Sequence, residues 1–143
     1  MSRTADTGAG RGVFGWLRLL LAVAMLALGA LMLLPPAWFG MGSISPEMLQ
    51  VKLSGPNPPA VVDVRTGPEF AGGHIKGALP LPLHRLPFSG LALNRERDVV
   101  LICMSGHRSR VAGFFLKMSG FDHVVNLTGG MAAWRATGLP TAK

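Results

Sequence analysis

The residue best suited to chemistry in this chain is its only cysteine, Cys103. It begins the loop Cys103-Met104-Ser105-Gly106-His107-Arg108, which follows an apolar run typical of a buried strand and leads into a helical pattern. In a short loop that contains glycine and enters a helix, backbone N–H groups converge on one point and the helix dipole adds positive potential. That environment favours the thiolate, the nucleophilic form of cysteine.

A lone cysteine also has a simpler interpretation as a small buried hydrophobic residue. Only placement and reactivity separate the two interpretations. The position between a strand and a helix, with Gly106 and Arg108 in the same loop, favours the nucleophile. The sequence therefore predicts a catalytic cysteine at position 103.

Composition limits the other kinds of chemistry. A single cysteine excludes an internal disulfide, a Cys-x-x-Cys redox pair and a thiolate metal cluster. The four histidines are scattered without an i,i+4 pair, so we expect no metal site, and no motif indicates a cofactor. The net charge is +7, but there is no long Lys/Arg run and no tyrosine, so nucleic-acid binding is not expected. A small anionic substrate or an anionic membrane surface fits the charge better.

The N-terminal part has the pattern of a membrane segment. Leu19 to Leu34 contains no polar side chain, and Trp16 and Trp38 lie near its two ends, where membrane interfaces favour such rings. Basic residues precede this run, at Arg3, Arg11 and Arg18. The positive-inside rule then places the N-terminus in the cytoplasm and the remainder outside the inner (plasma) membrane, in the periplasm.

Two alternatives to an anchor remain open for this segment. The basic start and apolar centre also fit a cleaved signal peptide, which would release the remainder to the periplasm. A buried core helix is the other alternative, although the run has no polar face. The predicted organisation is a basic segment at 1–18, a transmembrane helix or signal at 19–39, a linker at 40–44 and one domain at 45–143.

Strand and helix patterns alternate through the domain. Ser45-Pro46-Glu47 has the composition of a helix start. In the helix after the cysteine loop, spacing predicts that Val111, Phe114, Phe115 and Met118 face the core. The alternation predicts an α/β fold with a mainly parallel sheet, whose sites lie at the carboxyl ends of the strands. The predicted strands are residues 60–64, 78–83, 98–102 and 124–127, and the predicted helices are 45–53, 68–71, 108–119 and 131–137.

Three motifs together resemble the single-domain rhodaneses, a family of sulfurtransferases. The first runs from Val62-Asp63-Val64-Arg65 through Glu69-Phe70 to Gly73-His74-Ile75-Lys76-Gly77-Ala78. The second is Val100 to Ser109, around the cysteine, and the third is Leu127-Thr128-Gly129-Gly130-Met131 with Trp134. The resemblance covers about Ser45 to Pro140 and implies a five-stranded parallel sheet flanked by helices, with the active-site loop at its edge.

The resemblance implies a two-step sulfur transfer. Cys103 takes a sulfane sulfur from a small anionic donor such as thiosulfate, and the persulfide passes it to a thiol or cyanide acceptor. Cysteine-based phosphatases have a similar architecture with a longer loop between Cys and Arg. The four residues between Cys103 and Arg108 make a smaller cradle, which suits a sulfane sulfur better than a tetrahedral phosphate.

Other residues are expected to support this chemistry. The backbone N–H groups from Met104 to Ser109 are predicted to hold the transferred sulfur. The guanidinium of Arg108 suits the sulfonate end of the donor, and Ser109 is a candidate side-chain donor. The resemblance places Asp63 and Arg65 near the site, where a structural ion pair is an equal alternative. A membrane-tethered persulfide carrier or docking module without turnover is the rival function.

Overall fold

A computed structural model describes residues 9–33, 40–88 and 93–143 and divides the chain into two compact units, Met1–Leu34 and Pro35–Lys143. The first unit contains helix α1, Ala9–Leu33. Over the three described ranges, no helix combines the length and apolar character needed to cross a membrane. The transmembrane helix predicted at 19–39 is therefore not supported, and residues 34–39 of that prediction lie outside the described residues.

The second unit is an α/β domain with a five-stranded sheet in the order β1-β5-β4-β2-β3. Every pairing in the sheet is parallel, so the predicted fold class is confirmed. The elements in chain order are β1 Gly42–Ile44, α2 Pro46–Leu53, β2 Ala60–Asp63, α3 Gly67–Ala71, β3 Leu79–Pro80, a 3-10 helix Leu83–Phe88, β4 Val99–Ile102, α4 His107–Met118, β5 Val124–Leu127 and α5 Gly130–Ala136.

Strand β4 lies in the middle of the sheet, between β2 and β5. All four of its residues are buried, because helices cover both faces and the side chains alternate between two core layers. Val99 and Leu101 enter one layer together with Cys103, whereas Val100 and Ile102 enter the other with Trp134. The cysteine thus follows a rigid central strand, at the carboxyl edge where parallel sheets carry their sites.

Strand β1 was not predicted from the sequence. Gly42–Ile44 falls in the expected linker but pairs in parallel with β5, where Ile44 lies opposite Leu127. Only Ile44 of the three residues is buried, so the segment has no apolar pattern that could reveal a strand. The predicted helix start that follows is confirmed, because the Ser45 side chain accepts a hydrogen bond from the Met48 amide at 3.3 Å.

The predicted core face of α4 was wrong. Phe114 and Phe115 are more than one third exposed, and Met118 is 72% exposed. The buried face consists instead of small residues and one leucine, Ser109, Ala112, Gly113 and Leu116. A Cβ at position 113 would overlap the Met41 side chain, so this face is small because the helix lies close against its neighbours.

Candidate active site

The Cys103 sulfur lies at the N-terminus of α4 and is 1% exposed. The loop turns at Gly106, the N-cap of the helix, whose φ of 94° is a conformation that favours glycine. This turn aims the Gly106 amide at the sulfur, with 3.0 Å between the nitrogen and Sγ. The geometry provides one backbone donor directed at the sulfur, and the prediction that the amides from Met104 to Ser109 hold a transferred sulfur stays a prediction.

Two buried polar side chains lie beneath the sulfur. The Ser109 hydroxyl is 3.5 Å from Cys103 Sγ and 2.5 Å from Asn126 Oδ1. Ser109 is on the first turn of α4 and Asn126 is on β5, so two separate elements bring the groups together. Asn126 also lies close under the loop, since a Cβ at Gly106 would be 3.4 Å from Asn126 Nδ2.

The N-terminus of α5 holds the other side of the loop. The amide of Met131 donates to the Cys103 carbonyl at 2.8 Å, and the amide of Ala132 donates to the Met104 carbonyl at 3.0 Å. Gly130 permits this approach, because a Cβ there would overlap the Cys103 carbonyl oxygen and lie 2.8 Å from the Met104 carbonyl carbon. The carbonyls of the loop are thereby bound on the α5 side, while the Gly106 amide points at the sulfur.

The guanidinium of Arg108 forms an ion pair with Glu69, a contact that was not predicted from the sequence. Two parallel hydrogen bonds join it to Glu69, from Nη1 to Oε2 at 2.9 Å and from Nη2 to Oε1 at 2.6 Å. Thr66 also donates to Oε2 of Glu69 through its amide and its hydroxyl. The hydrogen bonds from Arg108 and Thr66 hold the pKa of Glu69 far below its ordinary value, although partial burial opposes this.

The same pairing raises the pKa of Arg108, chiefly through its hydrogen bonds to Glu69. The negative charges of Glu69, Cys103 and Asp63 add smaller contributions in the same direction. Arg108 therefore stays cationic beside the cysteine. Its side chain is 35% exposed and that of Glu69 is 27% exposed, so the pair lies at the surface beside the loop.

A second arginine–carboxylate pair, Asp63 with Arg65, is completely buried. The Arg65 side chain contacts both carboxylate oxygens of Asp63, with the shortest distance 2.6 Å, and donates to the Gly73 carbonyl at 2.9 Å. Its remaining nitrogen, Nη1, has no hydrogen-bond partner among the described residues. Through the Gly73 contact, this pair connects the end of β2 with the segment after α3. These contacts fit the alternative in which Asp63 and Arg65 form a structural ion pair.

The outer side of the loop is polar and accessible. Ser105 and His107 are exposed, and the Ser105 hydroxyl lies 3.0 Å from His107 Nδ1. Met104 is half-buried and packs against the core layer that contains Trp134. The exposed surface of the loop therefore carries a hydroxyl and an imidazole.

Residues 45–137 match the family model described as a rhodanese-like domain. The chain belongs to this family. It is 41% identical over 97 residues to a sulfurtransferase from Allochromatium vinosum, covering 68% of this chain and 91% of the relative. It is 38% identical over 77 residues to the thiosulfate sulfurtransferase GlpE from Stutzerimonas stutzeri, covering 54% and 71% of the two chains.

A solved structure agrees with the fold. A rhodanese-related protein from Thermoplasma volcanium superposes with a TM-score of 0.64 at 29% identity, covering 71% of this chain and 97% of the other. The rhodanese family and the relatives' names support sulfur transfer as the general activity of this domain. The donor, the acceptor and the roles of individual residues remain predictions.

The rhodanese-like domain brings most of the predicted site residues together. Cys103, Gly106 and Ser109 meet at the sulfur, whereas Arg108 is turned to Glu69 and Asp63 is bound to Arg65. Sequence reasoning missed two contributors. Glu69 was noted only as part of a motif, and Asn126 was not noted at all, although an asparagine in an otherwise apolar strand is a signal that a buried partner exists.

Within the described ranges, no group of three His, Cys, Asp or Glu side chains is placed to hold a metal ion. The reactive elements are instead one thiol, one backbone amide and a buried hydroxyl.

Proposed function

We propose that this protein transfers a sulfane sulfur from thiosulfate to a thiophilic acceptor through a persulfide on Cys103. The observation that carries the proposal is the contact between the Gly106 amide and the Cys103 sulfur in a loop held by two helix N-termini. Membership of the rhodanese family supports the reaction class. Similarity to a protein named thiosulfate sulfurtransferase supports thiosulfate as the donor.

In the first step the Cys103 thiolate attacks the outer sulfur of thiosulfate. A bond forms between the two sulfur atoms, the bond to the sulfonate sulfur breaks, and sulfite leaves with the electron pair. The Gly106 amide is placed to donate to the negative charge near Sγ. In the second step a thiolate or cyanide attacks the outer sulfur of the persulfide, and Cys103 leaves as a thiolate.

Intact mass of the full-length chain tests this cycle. After incubation with thiosulfate we expect a gain of one sulfur atom, reversed by cyanide with production of thiocyanate. Cys103 is the only cysteine, so Cys103→Ser is a complete control and must remain unmodified. If the chain accepts sulfur from a small persulfide but gives no adduct with thiosulfate, thiosulfate is not the donor. Sulfur transfer as the reaction class would still hold.

The second candidate function is a persulfide carrier without turnover on free thiosulfate. One observation favours it: both terminal nitrogens of Arg108 are bound to Glu69, so the predicted sulfonate-binding cation already has a carboxylate partner. Steady-state thiocyanate formation separates the two functions. Repeated turnover supports the enzyme, whereas a single sulfur adduct that thiosulfate cannot regenerate supports the carrier.

We also propose a location for this activity, outside the plasma membrane. This part rests on the amino-acid sequence, in which three arginines precede the uncharged run from Leu19 to Leu34. An anchored protein remains in the membrane fraction at full-length mass, and protease added to spheroplasts digests its domain. A cleaved signal gives a shorter periplasmic product, and a full-length chain in the cytosolic fraction would contradict both forms.

A further inference from the structure

A line of three buried polar groups leads inward from the reactive sulfur. Cys103, Ser109 and Asn126 are 1%, 0% and 4% exposed, so these contacts are sheltered from solvent. Asn126 stands in β5 among apolar residues, with Val124 and Leu127 buried on either side. A carboxamide in such a strand is costly unless it is hydrogen-bonded, and the Ser109 hydroxyl provides that bond.

The Ser109 hydroxyl has one proton and two possible acceptors. Asn126 Oδ1 is 2.5 Å away, at the short end of the range for O–H···O bonds, and Cys103 Sγ is 3.5 Å away. The hydroxyl therefore donates to Asn126 in preference to the sulfur. The Cys103 sulfur therefore receives only the smaller share of this donor, which stabilises a sulfur anion less than a full hydrogen bond would.

We propose that Asn126 is a positioning residue for Cys103 that acts through Ser109. By accepting the hydrogen bond from the Ser109 hydroxyl, Asn126 withholds a donor from the sulfur and sets the fraction of Cys103 that is thiolate at a given pH. This role rests on the proposed function. A less stabilised thiolate is a stronger nucleophile, so withholding the Ser109 donor would favour attack of Cys103 on a sulfur donor. The Gly106 amide is then the donor that stabilises the anion.

The charged groups around the sulfur come from three elements and are already paired. Glu69 on α3 binds Arg108 on α4, and Asp63 at the end of β2 binds Arg65. His107 on α4 is hydrogen-bonded to Ser105, and β5 contributes no titratable side chain. Substituting Asn126 or Ser109 changes none of these charges, so a shift in the cysteine titration would report the hydrogen bond.

Thiolate absorbance in the ultraviolet measures the titration in the full-length chain. The chain has one cysteine and no tyrosine, so the change with pH reports Cys103, and Cys103→Ser supplies the baseline. We expect Asn126→Leu to move the titration midpoint down by ~0.5 pH unit, because the freed hydroxyl donates to the thiolate. Ser109→Ala should move it up by a smaller amount, because the sulfur then loses the small share of that donor which it receives.

The double variant gives the decisive comparison. Asn126→Leu should have no effect on the midpoint in a chain that already carries Ser109→Ala, because Asn126 acts only through the hydroxyl. Asn126→Ala must repeat the downward shift if the leucine variant does not fold, as judged by circular dichroism. An unchanged midpoint in the Asn126 variants, or a shift in the same direction as Ser109→Ala, would overturn the proposal.

This experiment is independent of the sulfur donor, because the titration needs no substrate. If thiosulfate gives no adduct but the two substitutions shift the midpoint in opposite directions, the role of Asn126 stands and the proposed donor falls. If thiosulfate gives the adduct but Asn126→Leu leaves the midpoint unchanged, the proposed function stands and the role of Asn126 falls.

Discussion

Two arginine–carboxylate pairs lie near the Cys103 loop, and they differ in burial and in the separation of their partners along the chain. Asp63 and Arg65 are two residues apart in sequence, and both side chains are 0% exposed. Glu69 and Arg108 are 39 residues apart, and about one third of each side chain is exposed. The partners of the first pair are close in sequence and completely buried. The partners of the second pair lie on two different helices, α3 and α4, and are partly exposed to solvent.

The difference in burial suggests different roles for the two pairs, a structural role for the buried pair and a functional role for the exposed one. A sealed pair cannot exchange partners without bringing a charge into an apolar interior, which costs several kcal/mol. A pair at the surface can open at a cost of ~1 kcal/mol or less, because water solvates the separated charges. We therefore expect the buried pair to control folding and the surface pair to control the approach of an anionic donor.

The largest expected effect is on the buried pair. Asp63→Ala leaves Arg65 charged and buried without a carboxylate, so we expect the free energy of unfolding to fall by ~3–5 kcal/mol. Urea unfolding followed by circular dichroism measures this. Asp122→Ala, at an exposed position, is the matched control and should change stability by less than ~0.5 kcal/mol. Equal losses in the two variants would show that the buried pair contributes no more to stability than an exposed carboxylate.

Arg108→Lys tests the geometry of the surface pair while keeping the charge. Lysine presents a point charge instead of a planar fork, so it can make two parallel bonds neither to Glu69 nor to the sulfonate of the donor. We expect kcat/KM for thiosulfate to fall roughly tenfold. The free energy of unfolding should change by less than ~1 kcal/mol. A variant with unchanged kinetics would show that the arginine fork has no part in sulfur transfer.

Glu69→Gln releases Arg108 and adds one positive charge to the site. We expect KM for thiosulfate to fall about threefold, because the freed guanidinium can bind the sulfonate. The effect should weaken as salt is raised. Glu47→Gln on α2 makes the same change in net charge at an exposed position and should leave KM unaltered. A rise in KM for Glu69→Gln would mean that Glu69 orients Arg108 for the donor and does not compete with it.

The smallest effect is the pH dependence of the surface pair. The pKa of Glu69 is lowered from its ordinary value of 4.5, so its stabilising contribution is complete above that value. The contribution is lost as the pH falls through the lower pKa of the folded protein. Glu69→Gln lacks it, so the stability difference between the two chains should be constant near neutral pH and shrink in acid, by less than ~1 kcal/mol. Unfolding curves from neutral to acidic pH measure the difference.

Local patterns in the sequence were enough to predict the central part of the fold. The apolar run before Cys103 predicted β4, and the Ser45-Pro46-Glu47 pattern predicted the start of α2. Both depend on interactions among near neighbours, namely burial of a continuous apolar run and capping by an adjacent side chain. The glycine of the loop likewise predicted a tight turn, which the structure has at Gly106.

Features that depend on distant contacts escaped prediction. Helical spacing alone could not tell which face of α4 is buried, because Phe114 and Met118 form as good a stripe as Ala112 and Leu116. Ala112 and Leu116 enter the core layer that contains Cys103, and the Met41 side chain occupies the space beside Gly113. Strand β1 also escaped prediction because it depends on a distant contact. Its residues are extended because they pair with β5, which follows about 80 residues later in the chain.

The amino-acid sequence by itself determined the parallel α/β fold and the position of the Cys103 loop between a strand and a helix, because each is encoded by residues close together in the chain. Only the tertiary structure decided what surrounds the sulfur. Asn126 reaches Ser109 across 17 residues and Glu69 reaches Arg108 across 39, through the packing of β5 and α3 around α4. Such pairs of partners form because distant elements pack together. A local sequence pattern can indicate that a buried polar residue has a partner, but it does not identify that partner.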